Sequence, residues 1–129
     1  MDHTQKFLDA CLIGDLTGAY KILLRHPEVD IHTGNEAAFR LGCATGCMTT
    51  LSLLLSLESS HGAIDIHLST EQPFLLACFN GKLEVAKILI GLEPTHGPIN
   101  IHAEDDFAIW GASGQGHVDI VEYLLSIAQ

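Results

Sequence analysis

The chain copies itself at a fixed interval. Val29-Asp30-Ile31-His32 returns as Ile64-Asp65-Ile66-His67 and again as Ile99-Asn100-Ile101-His102, each position 35 residues from its counterpart. The same offset links Phe39, Phe74 and Ile109, then Cys43, Cys78 and Ser113, then Gly46, Gly81 and Gly116, then Leu54, Leu89 and Leu124. An earlier copy, shifted by 32, pairs Phe7 with Phe39, Cys11 with Cys43, Gly14 with Gly46 and Ile22 with Leu54; its three missing residues fall around Arg25–Glu28. A period of this size marks stacked units, each burying its apolar side on a neighbour. Four copies are expected, over about residues 4–28, 29–63, 64–98 and 99–129, within one domain spanning 1–129.

Each copy reads as two short helices. In the third, Phe74, Ala77 and Cys78 fall on one helical face, with Pro73 as the first helical residue and Gly81 as the stop. Leu83, Ala86, Leu89 and Ile90 line a second helix, with Glu84 and Lys87 on its opposite side. Ser56–Ala63 and Gly91–Pro98 read as loops. The alternating Ile-Asp-Ile-His segments suit a brief extended stretch, and the polar residues after them a projecting finger.

Residues 72–78 and 80–89, from Gln72-Pro73-Phe74 through Asn80-Gly81-Lys82-Leu83 to Leu89, resemble the ankyrin repeat. Gly116-His117-Val118-Asp119-Ile120-Val121-Glu122-Tyr123-Leu124-Leu125 is similar to the family's Gly-His-Leu-Glu-Val-Val-Lys-Leu-Leu-Leu stretch, and the likeness runs from about Gln5 to Ala128. It implies an all-α ankyrin-repeat solenoid of about four stacked helix pairs with short finger loops. The family's Thr-Pro-Leu-His opening is replaced by Ala37-Ala38-Phe39-Arg40, Gln72-Pro73-Phe74-Leu75 and Phe107-Ala108-Ile109-Trp110, so the Thr and His that brace its neighbouring fingers are absent. The longer period and shorter finger resemble the ankyrin arrays of giant viruses of amoebae.

Composition narrows the functions. Six Lys and Arg against sixteen Asp and Glu leave a net charge of −10, which disfavours nucleic acid and anionic membranes alike. Met1–Leu8 lacks the basic start and apolar core of a secretory signal, and no apolar run is long enough to cross a bilayer. Four cysteines in so apolar a chain read as reduced thiols, which points to the cytoplasm, or to a host cytoplasm if the chain comes from a virus or is a bacterial effector.

Six histidines form two ladders, His26/His61/His96 and His32/His67/His102. Equivalent residues on stacked helix pairs lie about 8–10 Å apart, whereas zinc needs its ligands at about 2 Å. Hydrogen bonds in the loops are therefore the expected role, and neither a metal nor a cofactor is expected. Cys11, Cys43 and Cys78 share one position, which the resemblance places in the core. Cys43 and Cys47 are interrupted by Gly46, and no cysteine has a histidine at a recurring spacing. Ser113–Gly116 lacks the strand and Lys-Ser/Thr of a phosphate loop. With no catalytic constellation, a non-enzymatic scaffold remains, binding a protein through its concave face and finger tips.

The expected contact residues are those that differ between copies. They are Asn35, Glu36, Arg40, Glu71, Leu75, Phe79, Glu104, Asp105, Asp106 and Trp110, with Phe79 and Trp110 as the aromatic anchors. The last copy presents Ile109, Trp110, Ile120, Tyr123 and Leu124 with few charges. A terminal repeat usually carries a polar outer face, so some of these residues are expected to be uncovered: the repeat either belongs to a longer array, meets another molecule, or is covered by the final residues, with an end-to-end homodimer as the preferred expectation and a module of a larger assembly as the alternative.

Overall fold

Asp2 and Asp15 start the first two helices. The carboxylate of Asp2 accepts the Gln5 N–H (2.7 Å) and that of Asp15 accepts the Gly18 N–H (2.9 Å), satisfying donors that a helix N-terminus leaves open. Helix α1 (His3–Leu12) and α2 (Leu16–Arg25) are joined at Gly14, whose φ of +75° only glycine adopts readily. The computed structural model describes residues 2–128. The remaining elements are α3 (Thr33–Thr45), α4 (Met48–Ser56), α5 (Glu58–His61), α6 (Leu68–Phe79), α7 (Leu83–Gly91), α8 (Glu93–His96), α9 (Ala103–Gly114) and α10 (Val118–Ile127). Among the described residues there is no strand, and no helix is long and apolar enough to cross a membrane.

Two compact units emerge. The first comprises the described residues up to Gly42 with Cys47–Asp65; the second comprises Cys43–Gly46 with the described residues from Ile66 onward. In the first, Phe7, Cys11, Ala19, Ile31, Phe39, Leu51 and Leu54 are buried; in the second, Phe74, Ala77, Cys78, Val85, Ala86, Leu89, Ala108 and Ile120 are. In the second unit α6 pairs with α7 and α9 with α10, while α6 packs on α9 as inner helix against inner helix. The C-terminal carbonyls of the inner helices are met from outside: Thr50 Oγ1 donates to Cys11 O (2.6 Å), and the His117 ring reaches Phe79 O (3.0 Å).

Two expectations need correction. Ser56–Ala63 and Gly91–Pro98 are not plain loops, because each contains one helical turn, α5 or α8, closed by a glycine at positive φ, Gly62 or Gly97. The alternating segments do not pair as strands. Their period of two survives as alternate burial: Ile64 and Ile66 are inside and Asp65 is outside.

The residues after each alternating segment take an unusual path. Gly34-Asn35-Glu36, Ser69-Thr70-Glu71 and Glu104-Asp105-Asp106 are all left-handed, with φ between 49° and 67°, before the right-handed helix begins. Left-handed backbone costs a non-glycine residue about 1–2 kcal/mol, so other contacts must hold it. Within the first unit, His32 Nδ1 lies 2.7 Å from Glu36 Oε1 and His32 Nε2 lies 2.8 Å from the carbonyl of His61. The other Glu36 oxygen accepts the Asp65 N–H (2.8 Å). The second unit repeats the device: His67 bridges Glu71 (2.6 Å) and His96 O (2.7 Å), and Glu71 accepts the Asn100 N–H (2.5 Å). Glu36 and Glu71 are each 6% exposed, so the three left-handed residues turn the carboxylate inward rather than out to a finger tip.

The expected loop role of the histidines thus takes a definite form. A carbonyl only accepts, so His32 Nε2 carries its proton, and the charged ring can also donate to Glu36. Burial works against that charge, but the hydrogen bonds to His61 and Glu36 and the charges of Glu36 and Asp30 outweigh it, raising the His32 pKa above 6.5. A raised folded pKa adds stability that is complete below 6.5 and lost as pH climbs through the folded value. Urea unfolding from pH 6 to 9 is therefore expected to show stability falling with pH more steeply in the wild type than in His32→Asn. In the same assay Glu71→Ala is expected to cost about 2–4 kcal/mol, because it removes the carboxylate that meets His67 Nδ1 and the Asn100 N–H, and Glu71→Gln less.

Candidate functional site

The inner helices of the second unit leave a groove. Ser69, Gln72, Leu75, Leu76 and Phe79 of α6 face Glu104 and Phe107 of α9 across a depression of about 400 Å³. Its floor is apolar because Phe79 and Phe107 lie face to face, ring centroids 5.9 Å apart and planes 19° from parallel. Both rings stay open to solvent, at 38% and 42% exposure. Gly111 leaves room for them, since a Cβ at that position would come within 3.2 Å of Phe79 and 3.3 Å of Phe107. Glu104 sits at the rim, and the neighbouring Asp105 is exposed.

The ten candidate contact residues divide into four groups. Leu75, Phe79 and Glu104 come together in the groove. Glu36 and Glu71 are buried in the His–carboxylate bridges. Asn35 and Arg40 belong to the first unit, where Arg40 donates to the carbonyls of Asn35 (2.9 Å) and Gly34 (2.7 Å), clamping the left-handed turn. The last three lie outside the groove's lining: Asp105 is exposed, Asp106 pairs with His102, and Trp110, 72% exposed, sits beside Ile109, Ser113 and Val121. Ser69, Gln72, Leu76 and Phe107 line the groove without having been among the candidates, and Phe107 is the most consequential of them. Its signal was an aromatic where the other copies carry Ala37 and Gln72.

The chemistry elsewhere is quiet. Burial pushes the Cys11, Cys43 and Cys78 thiols up to about 12, which removes the thiolate a nucleophile needs. Cys47 differs: hydrogen bonds with the hydroxyls of Thr49 (3.3 Å) and Thr50 (3.1 Å) lower its pKa, and it is only half-buried. Among the described residues no group of three or more His, Cys, Asp or Glu is placed to hold a metal.

No protein-family model matches the sequence, and no curated protein does. A solved structure does match: the crystal structure of an ankyrin repeat family protein from Legionella pneumophila, with a TM-score of 0.77 and 29% identity over 96% of this chain. The fold is that of an ankyrin-repeat protein. The chain spans 36% of the length of that Legionella chain. Ankyrin repeats serve in general as protein-interaction modules, and the groove between α6 and α9 lies on the inner helices of two of them.

Under native conditions iodoacetamide is expected to modify Cys47 well before the other three thiols. Mass spectrometry should find a single adduct first in the native chain and four after denaturation; early labelling of Cys11, Cys43 or Cys78 would contradict their burial.

Proposed function

We propose that this ankyrin-repeat chain is a non-enzymatic cytoplasmic scaffold that captures a protein partner in the α6–α9 groove. The observation that supports this reading is the stacked, partly exposed pair Phe79 and Phe107, two large rings lining one depression. Aromatic side chains in a depression that excludes water dominate interface energetics. Leu75 and Leu76 extend the apolar floor, and Glu104 and Asp105 favour a partner with a basic side chain next to its apolar anchor. We also propose that the last repeat carries self-association, as part of a homodimer or larger assembly.

Selection of displayed peptides on the immobilised chain is expected to enrich an aromatic or aliphatic residue flanked by Lys or Arg. Phe79→Ala and Phe107→Ala should each weaken the selected peptides by about 10-fold or more, with helical circular dichroism unchanged, because both rings are already partly exposed. Binding that survives both substitutions would place the site elsewhere.

A further inference from the structure

The groove between α6 and α9 changes character along its length. Its two helices belong to successive copies, so lining residues 35 apart pair up across it: Ser69 with Glu104 in the left-handed turns, then Gln72 with Phe107. Leu75, Leu76 and Phe79 follow toward the other end.

The first end is polar, and its bonding capacity is unspent. Among the described residues, no hydrogen bond or ion pair engages the side chain of Ser69, Gln72 or Glu104. Gln72 is half-buried all the same, Glu104 is exposed, and no Lys, Arg or His lines the groove to balance the carboxylate. The neighbouring carboxylates are already engaged, Glu71 by His67 and the Asn100 N–H and Asp106 by His102. What remains open to an incoming group is a carboxylate, an amide and a hydroxyl beside the Phe107 ring.

That combination suits one side chain above others. A guanidinium is planar, always charged, carries five N–H donors and stacks on aromatic rings; an ammonium is a compact charge that holds its water more tightly.

The apolar end sets the spacing. Gln72 and Phe79 are seven residues apart on α6, which is about 10.5 Å of helix. An extended partner, rising about 3.3 Å per residue, covers that distance in about three residues. A helical partner, about 10–12 Å across with its side chains, would displace at least roughly twice the 400 Å³ of the depression over the same length and would rest on its rim.

We propose that the groove selects an arginine in an extended segment of its partner. The guanidinium stacks on Phe107 and donates to Glu104 and Gln72, and an aromatic or aliphatic residue three positions away lies over Leu76 and Phe79. This selection rests on the groove being the capture site, as proposed above, and adds to it which basic residue is read and at what spacing.

The test selects short random displayed peptides on the immobilised full chain. The enriched sequences should align with Arg three residues from the apolar anchor. In one such peptide, synthesised and followed by fluorescence anisotropy, replacing that Arg by Lys should weaken binding at least about 5-fold, and replacing it by Ala about 10-fold or more. Glu104→Gln, at an exposed position, should weaken the Arg peptide about 10-fold and leave the Ala peptide within about 2-fold. Phe107→Leu keeps the surface apolar and should shrink the preference for Arg over Lys to about 2-fold or less. Peptides that depend on Phe79 and Phe107 but carry no Arg at a fixed spacing, or that place it seven residues from the anchor as a helix would, would overturn the arginine selection and leave the groove as the capture site. So would an equal loss for the Arg and Ala peptides on Glu104→Gln. Peptides indifferent to Phe79→Ala and Phe107→Ala, or no enrichment at all, would overturn both.

Discussion

A buried carboxylate held between a histidine and a backbone N–H is the constraint from which this structure is built. Glu36 and Glu71 could not sit at 6% exposure without partners, since an unpaired buried carboxylate costs several kcal/mol. Each is satisfied twice, by the imidazole four residues before it and by an N–H 29 residues after it. One end of the bridge is local and the other reaches the next repeat, so the same interaction fixes the left-handed turn and the spacing between repeats.

Other features follow from it. The histidine needs an acceptor for its second nitrogen, and the carbonyls of His61 and His96 provide one because α5 and α8 end in glycines with φ of 93° and 84°. That extra helical turn accommodates the residues that lengthen the period to 35. The alternation of Ile64, Asp65 and Ile66 likewise serves the bridge: the isoleucines anchor the segment while its N–H is presented to the carboxylate. With the repeats clamped in this way, the inner helices can leave Phe79 and Phe107 at the surface without loosening the core.

Much of the fold was legible because it repeats. Phe7, Phe39 and Phe74 share a register and are each at most 1% exposed, and Gly14, Gly46, Gly81 and Gly116 share another and all have positive φ. What stayed hidden depends on backbone handedness and on contacts far apart in sequence. Glu36 and Glu71 looked like finger tips because an acidic residue in a polar stretch ordinarily faces water; three consecutive left-handed residues reverse that, and in the Ser69-Thr70-Glu71 turn no residue is of a type that favours that region. Phe107 was passed over because the resemblance aligned it with a threonine. Which apolar residues of the last repeat are uncovered was not legible: Ile120 and Leu124 face inward on the same helix that leaves Val121 half-open, a distinction set by rotation about the α10 axis rather than by composition.

The most direct test of the bridge is nitrogen-15 NMR of the His32 ring in the full chain. The account predicts that both ring nitrogens carry protons, Nδ1–H toward Glu36 and Nε2–H toward His61 O, with the shifts of a charged imidazole persisting above the ordinary pKa of 6.5. A ring that exchanges freely and titrates at 6.5 or below as a neutral solvent-exposed tautomer would contradict the account.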